Sequence, residues 1–273
     1  MASPGLSPNK ESLRVGSDAA EPLYTAPALE KGLDILELLA GEADGLSQGA
    51  IAAKLGRSAT ELFRMLSVLE RRGYLNRHAD GSYRLSLRLF ELAHQHPPLK
   101  RLLSVALPAM HDLTQATRQS AHLVVHFARR ILIVAQVDSP EPMGFGVRLG
   151  AHFAFLPDRA SARVLSAFQP LPIQKELIAE LIVNSAIPVS ATKLRSALSG
   201  IVRKGFYVAQ SVTTAGITDL CAPVFDHSNG AVAALTIPYV RQRDVRVTVT
   251  AARESLLLAT RGISSRLGQR SVK

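Results

Sequence analysis

Tryptophan is absent from this 273-residue chain, cysteine occurs once, and aromatic residues make up only 5%. The lone Cys221 excludes an internal disulfide framework and fits a reducing compartment, which points to the cytoplasm. No apolar run approaches the roughly 18 residues of a membrane helix, so no membrane partner is expected. GxGxxG, Walker, HExxH and CxxC spacings are all missing. That removes the common signatures of dinucleotide, nucleotide-phosphate and zinc chemistry. Absence of tryptophan by itself excludes nothing.

What is present begins with charge. The formal net charge is +10, but residues 1–96 are close to neutral, with 11 Lys+Arg against 12 Asp+Glu. Residues 97–273 carry 21 basic and 10 acidic residues, while 47–88 hold a local patch of 8 against 3. Global basicity is therefore no argument for nucleic acid; a local motif must supply it.

Residues 47–85, SQGAIAAKLGRSATELFRMLSVLERRGYLNRHADGSYRL, supply one. Ser47 is a plausible N-cap, and Ile51 and Leu55 recur at i, i+4 beside Ala52 and Ala53. Gly56 provides a turn, and Ser58 can cap a second helix. There Leu62, Leu66 and Leu69 form an apolar stripe, while Thr60, Arg64, Ser67 and Arg71 form a polar one. Gly73 ends the helix. Tyr74 to Leu85 then predicts two strands around His78-Ala79-Asp80-Gly81, with Arg77 and Arg84 beside the turn. Helix, turn, helix and wing in this order predict a winged helix-turn-helix, whose second helix enters the DNA major groove. The bland alternative is a helical hairpin with a solvated charged face. Candidate DNA contacts are Ser58, Thr60, Arg64, Ser67, Arg71, Arg77 and Arg84. Glu61 either accepts from a cytosine amino group or turns to solvent or an intramolecular pair, the second being favoured. Phe63 is expected in the core.

Upstream, 27–40 predicts a helix whose Leu29, Leu33, Leu36 and Leu39 or Ala40 pack under the two later helices. Downstream, 85–96 predicts another, stopped by Pro97-Pro98. The second half mixes helices (99–119, 160–168, 174–184, 192–204, 247–267) with hairpin strands (122–128 with 131–137, 218–225 with 231–239) and a short strand at 145–149. Pro108 is a possible kink. This pattern predicts an α+β fold on an antiparallel sheet. The boundaries are a disordered tail at 1–24, a winged helix-turn-helix domain at 25–84, a linker helix at 85–98 and an effector-binding domain at 99–273.

The stretches PALEKGLDILELL, FRMLSVLERRGYL, GSYRLSLRLFELA, VRLGAHF, KGFYVAQ, TAGITDLCAPVFDHSNGAVAALTIP and ISSRLG resemble the IclR-type bacterial transcriptional regulators. The resemblance spans about residues 25–268. It implies a dimerising winged-helix domain and a GAF-like domain with a pocket for a small, often acidic metabolite. The partners it implies are a double-stranded DNA operator, a small-molecule effector and further copies of the chain, as a homodimer or homotetramer. By correspondence, the pocket amides fall at Ala160 and Ser161, the polar strand residues at Asp219 and Thr236, and the apolar walls at Gly146, Ala154 and Ile217. Ala209 departs from the polar or acidic residue of members that bind small keto acids. Amides at a helix start suit a carboxylate. Asp219 opposes an anion unless it meets a hydroxyl or an amine, and it is otherwise a surface strand residue.

Catalytic alternatives are weaker. Cys221, with His122, His126 or His227 nearby, has the parts of a thiol nucleophile, but a lone Cys in an apolar strand is ordinary packing. His122, His126 and His152 lack metal spacing. No enzyme activity and no cofactor are expected. The readings in competition are an effector-responsive DNA-binding repressor or activator, a sensor or enzyme whose winged helix serves protein contacts, and an architectural DNA-binding protein without effector. The first is favoured, with the effector shifting the population of DNA-competent states through the linker.

Overall fold

The computed structural model describes residues 25–241 and 247–269, so the expected tail at 1–24 lies outside the described residues. The chain divides between His96 and Pro97 into two compact units.

In the first unit, Pro27 opens α1 (Pro27–Ala40), where its fixed φ suits the first turn. Strand β1 (Leu46–Ser47) leads into α2 (Gln48–Leu55), and Ser47 Oγ caps it by accepting from Ala50 N. Gly56 takes φ 66° as a left-handed cap, and Ser58 Oγ accepts from Glu61 N to start α3 (Ala59–Arg71). The wing is β2 (Leu75–Arg77) and β3 (Ser82–Leu85). Strand β1 completes a three-stranded sheet in the order β1-β3-β2, a strand the sequence did not reveal. Asp80 Oδ1 fixes the turn by accepting from Ser82 N at 2.8 Å and from Ser82 Oγ at 2.6 Å. Ile35, Leu39, Ile51, Leu62, Leu66, Leu75 and Tyr83 fill the core. Helix α4 (Arg88–Gln95) closes the unit.

Two expectations fail here. Leu29 and Leu33 are 62% and 48% exposed, because α1 has two apolar faces and the core takes the one centred on Ile35 and Leu39. Phe63 is 54% exposed rather than buried, since Leu62 and Leu66 already occupy the core side of α3.

The second unit is a six-stranded antiparallel sheet between two helical layers. Helix α5 (Pro97–Thr117) begins at the two prolines, which open a helix as readily as they end one, and it runs unbroken through Pro108. Then come β4 (Ala121–Phe127), β5 (Arg130–Val137) and β6 (His152–Ala154). Next are α6 (Ala160–Ala167), α7 (Leu171–Asn184), α8 (Ala191–Lys204), β7 (Tyr207–Gln210), β8 (Ile217–Phe225), β9 (Ala231–Val240) and α9 (Val249–Leu267). The strand order is β6-β5-β4-β9-β8-β7. Leu102, Ala106, Met110 and Leu113 of α5 join Leu256 and Ile263 of α9 on one face. Val164 and Leu165 of α6, Leu181 of α7 and Leu198 of α8 cover the other.

The expected strand at 145–149 is irregular chain; Gly150 and Ala151 bond to Ile133, and the strand paired with β5 starts at His152. Strand β7 was missed: four residues with one exposed face give little signal. The β4–β5 turn is Ala128-Arg129, both at positive φ (46° and 62°), one residue earlier than expected.

A close approach sets the wing. Gly45 sits at φ +75°, and a Cβ there would meet Arg84 Cγ at 2.5 Å and Tyr83 O at 2.7 Å. Gly45→Ala is expected to cost more than about 1 kcal/mol, because strain and collision add. Urea unfolding of the variant checks this; an unchanged midpoint would show that β1 does not tie the wing down.

Candidate functional site

On α3, Thr60, Arg64, Ser67 and Arg71 are all exposed and follow the i, i+4, i+7, i+11 stripe. Phe63 borders them. Sequence patterning missed it because an aromatic on a helix reads as core by default. Ser58 is spent on the N-cap. Glu61 pairs with Lys31 Nζ at 2.6 Å and with Arg57 Nη1 at 3.4 Å, and Arg57 reaches Asp34 at 3.2 Å. The Lys31 ammonium holds the Glu61 carboxyl below its ordinary value. These pairs tie the start of α3 to α1 and leave its outward stripe basic. In the wing, Arg77 is exposed with its guanidinium 5.7 Å from the Tyr83 ring centre. Arg84 is half-buried, its stem lying against Gly45.

In the second unit a cavity of about 350 Å³ opens beside the face of the sheet that α6 covers. A bulge makes it. Leu123 pairs with Ala135 but Val124 pairs with Ile133, so Val134 is an extra residue. Inward-facing residues change side there: Ile131 and Ile133 face α6, whereas Ala135 and Val137 join the α5–α9 core. The loop before β6 packs closely at Gly146, where a Cβ would meet Gln136 Nε2 at 2.8 Å and Asp138 Oδ1 at 2.9 Å.

Of the expected pocket residues, Gly146, Ala160, Ser161, Asp219 and Thr236 line the cavity. Two do not. Ala154 is exposed at the end of edge strand β6, and Ile217, 3% exposed, is packed at the start of β8 outside the cavity wall. Ala154 points to the side opposite Phe153, which does line the cavity, whereas Ile217 shares the face of Asp219 but lies two residues beyond the cavity wall. The cavity instead recruits His122, Arg159, Phe153 and the segment Ser211–Thr214. The signal for Arg159 was its place just ahead of a helix whose first amides were already suspected.

The polar lining is electrically uneven. His122 has a shielded Nδ1 with no partner among the described residues, and burial pushes its imidazole down to about 4. Arg159 lies 4.9 Å from the Phe153 ring centre, and its Nε is likewise shielded and unpartnered. Burial raises the Asp219 carboxyl, while Ser211 and the Arg159 charge pull it back. The thiol of Cys221 is fully buried, accepts from Thr236 Oγ1 at 3.2 Å and is pushed up to about 12. That is the opposite of an activated nucleophile. His126 is bonded to Glu180 Oε1 at 2.8 Å. Among the described residues no His, Cys, Asp and Glu group is placed to hold a metal, and no helix is long and apolar enough to cross a membrane.

A winged helix with an outward basic helix, in one chain with an α+β sheet domain that holds a cavity of mixed lining, defines the class of DNA-binding regulators. Comparison with known proteins agrees. The description "IclR helix-turn-helix domain" matches residues 28–79, and "Bacterial transcriptional regulator IclR C-terminal" matches 99–265. The glycerol operon regulatory protein of Streptomyces griseus is 27% identical over 77% of this chain and 83% of its own. The transcriptional regulator XynR of Escherichia coli is 25% identical over 88% and 97%. Two crystal structures share the fold. The Thermotoga maritima IclR has TM-score 0.70 at 23% identity, covering 88% of this chain and 98% of that one. An IclR homolog from Microbacterium hydrocarbonoxydans, complexed with 4-hydroxybenzoate, has 0.72 at 22% over the same shares. The chain belongs to the IclR family of bacterial transcriptional regulators. It is a DNA-binding regulator and not an enzyme.

The neutral His122 has a stability consequence. Its pKa is about 4 in the folded chain against an ordinary 6.5, so between those values the unfolded chain holds more protons. Stability contributed by this group is therefore complete above pH 6.5 and falls as pH drops toward 4. Asp219, whose pKa is raised, acts in the opposite sense, so the test is a difference. In His122→Gln, the fall in thermal midpoint between pH 6.5 and 4 should be smaller than in wild type. Parallel curves would place the proton uptake elsewhere.

Proposed function

We propose that α3 reads an operator through Thr60, Arg64, Ser67 and Arg71, with Arg77 and Arg84 contacting the DNA backbone and Ser58 acting through the cap that fixes the start of α3. The observation that carries this is the exposed stripe itself: its polar members need no partner within the fold, and its acidic neighbour Glu61 is neutralised from behind. Phosphate contacts would set register and Arg64 would supply base readout. Binding would be modest per copy, because the patch is small, so specificity depends on pairing two copies.

A groove on the first unit supports pairing. Leu29, Leu33, Val68, Leu89 and Leu92 line an apolar trough of about 530 Å³, and all are at least 37% exposed. Solvated leucines in such a cluster mark a contact surface, which we assign to a second copy in a dimer or higher assembly. The cavity beside α6 would take a small organic acid as effector, in keeping with the 4-hydroxybenzoate bound by one structural relative. The helix-start amides at Ala160 and Ser161 and the Arg159 guanidinium favour an anion. Binding there would change operator occupancy by preferring one of two states of the protein.

Arg64→Ala should weaken binding to an operator fragment, selected from random duplex DNA, by about 1–3 kcal/mol in a gel-shift titration. Wild-type affinity should fall steeply with salt, since phosphates are neutralised. A flat salt response would favour a protein-contact role for the winged helix. Leu33→Glu should lower the assembly state seen by light scattering and reduce operator affinity with it. A Leu33→Glu protein of unchanged mass would remove the trough from the pairing surface.

A further inference from the structure

We infer that the organic acid this cavity selects is an aminocarboxylate, a ligand carrying a carboxylate and an ammonium together. The inference rests on the cavity being the effector site.

One small cavity holds both a guanidinium and a carboxylate, Arg159 and Asp219. Arg159 feels the exposed Asp158 beside it in sequence and then Asp219, yet no ion pair joins it to either among the described residues. Arg159 and Asp219 are half-buried, so each has lost part of its hydration without gaining an opposite charge in contact.

A ligand with only a carboxylate satisfies Arg159 and brings a second anion toward Asp219. A ligand with only an amine satisfies Asp219 and repels Arg159. An aminocarboxylate answers both: its carboxylate meets Arg159 and the amides at the start of α6, and its ammonium meets Asp219 and the Ser211 hydroxyl. Like-charge opposition in a poorly solvated pocket is costly, and opposite charges there gain by the same rule. Val124, Ile131, Ile133, Phe145 and Phe153 supply apolar wall for a carbon side chain. His122 faces the same space with an unpartnered ring nitrogen and offers a neutral polar contact, which does not repel a cation. The volume of about 350 Å³ is at the small end of ligand pockets, which suits a molecule of amino-acid size.

The test uses the full-length protein and matched ligand series, followed by thermal shift and calorimetry. Each series keeps one skeleton and replaces the amine by hydroxyl or hydrogen: leucine, 2-hydroxy-4-methylpentanoate and 4-methylpentanoate; tyrosine, 3-(4-hydroxyphenyl)lactate and 3-(4-hydroxyphenyl)propionate; and the equivalent methionine and phenylalanine sets. In at least one series the amine member should bind about tenfold or more tightly than its deaminated counterpart. Asp219→Asn, which keeps size and shape, should erase that preference, and Arg159→Met should weaken every acid in the series. The inference is overturned if no amino acid binds, or if deaminated acids bind as tightly as their amine members. Deaminated acids that still need Arg159 would overturn the ligand class while leaving the cavity as the effector site. Affinities unmoved by either substitution would instead displace the cavity from that role.

Discussion

A sheet covered by helices on both faces has no solvated side, and much of the second unit follows from that constraint. Strands β8 and β9 are buried nearly end to end, so their side chains must be apolar or find partners within the fold. The exceptions show how. Ser264 of α9 accepts from Phe225 N at 2.9 Å and donates to Thr260 O at 2.7 Å, closing the end of β8. Gln119 uses both ends of its amide on Val240, donating to its carbonyl at 3.1 Å and accepting from its N–H at 2.9 Å, and so acts as a short strand partner for β9. Against that economy, two shielded nitrogens in one cavity, on His122 and Arg159, have no partner among the described residues.

The first unit follows the same logic at smaller scale. Its core is small, and α1 carries more apolar surface than that core can cover. Ile35 and Leu39 take the inner positions, leaving Leu29 and Leu33 outside. A helix of a self-sufficient small domain would carry polar residues there. The ion pairs of Glu61 with Lys31 and Arg57 work in the other direction, gathering charge between α1 and α3. They are half-exposed and contribute little to stability. Their effect is to keep an acid off the stripe that carries Arg64.

Most of the architecture was legible in the sequence because it is written in short-range chemistry. Ser47 and Ser58 as caps, Gly56 as the turn and Asp80-Gly81 as the hairpin are local choices, and the structure makes them as the residues dictate. The second unit's longer helices and its two main hairpins were likewise visible from period alone. Illegible were features that depend on what lies across from a segment. Strand β1 exists because β3 is available to pair with it, and two residues carry no pattern. Phe63 and the outer leucines of α1 look like core in any sequence, and only the filled core shows that there is no room for them. Ala154 and Ile217 were assigned to a cavity by correspondence; Ala154 faces away from it, and Ile217 lies past its end on β8.

The electrostatics of the cavity were hardest to foresee, and the reason is topological. From its own strand Asp219 looks like an obstacle to any anion. Arg159 stands 60 residues earlier, at the threshold of α6, and nothing local connects the two. They meet because α6 packs across β8 and β9, and because the extra residue at Val134 keeps Ile131 and Ile133 on the α6 side while sending Ala135 and Val137 to the other core. The bulge thus shapes one wall and the helix brings the charge. Once both are in place, Asp219 ceases to be a bare repulsive centre and becomes one pole of a pair. Its effect on a ligand depends on what occupies the gap between the poles, and a rule applied to one strand at a time cannot express that.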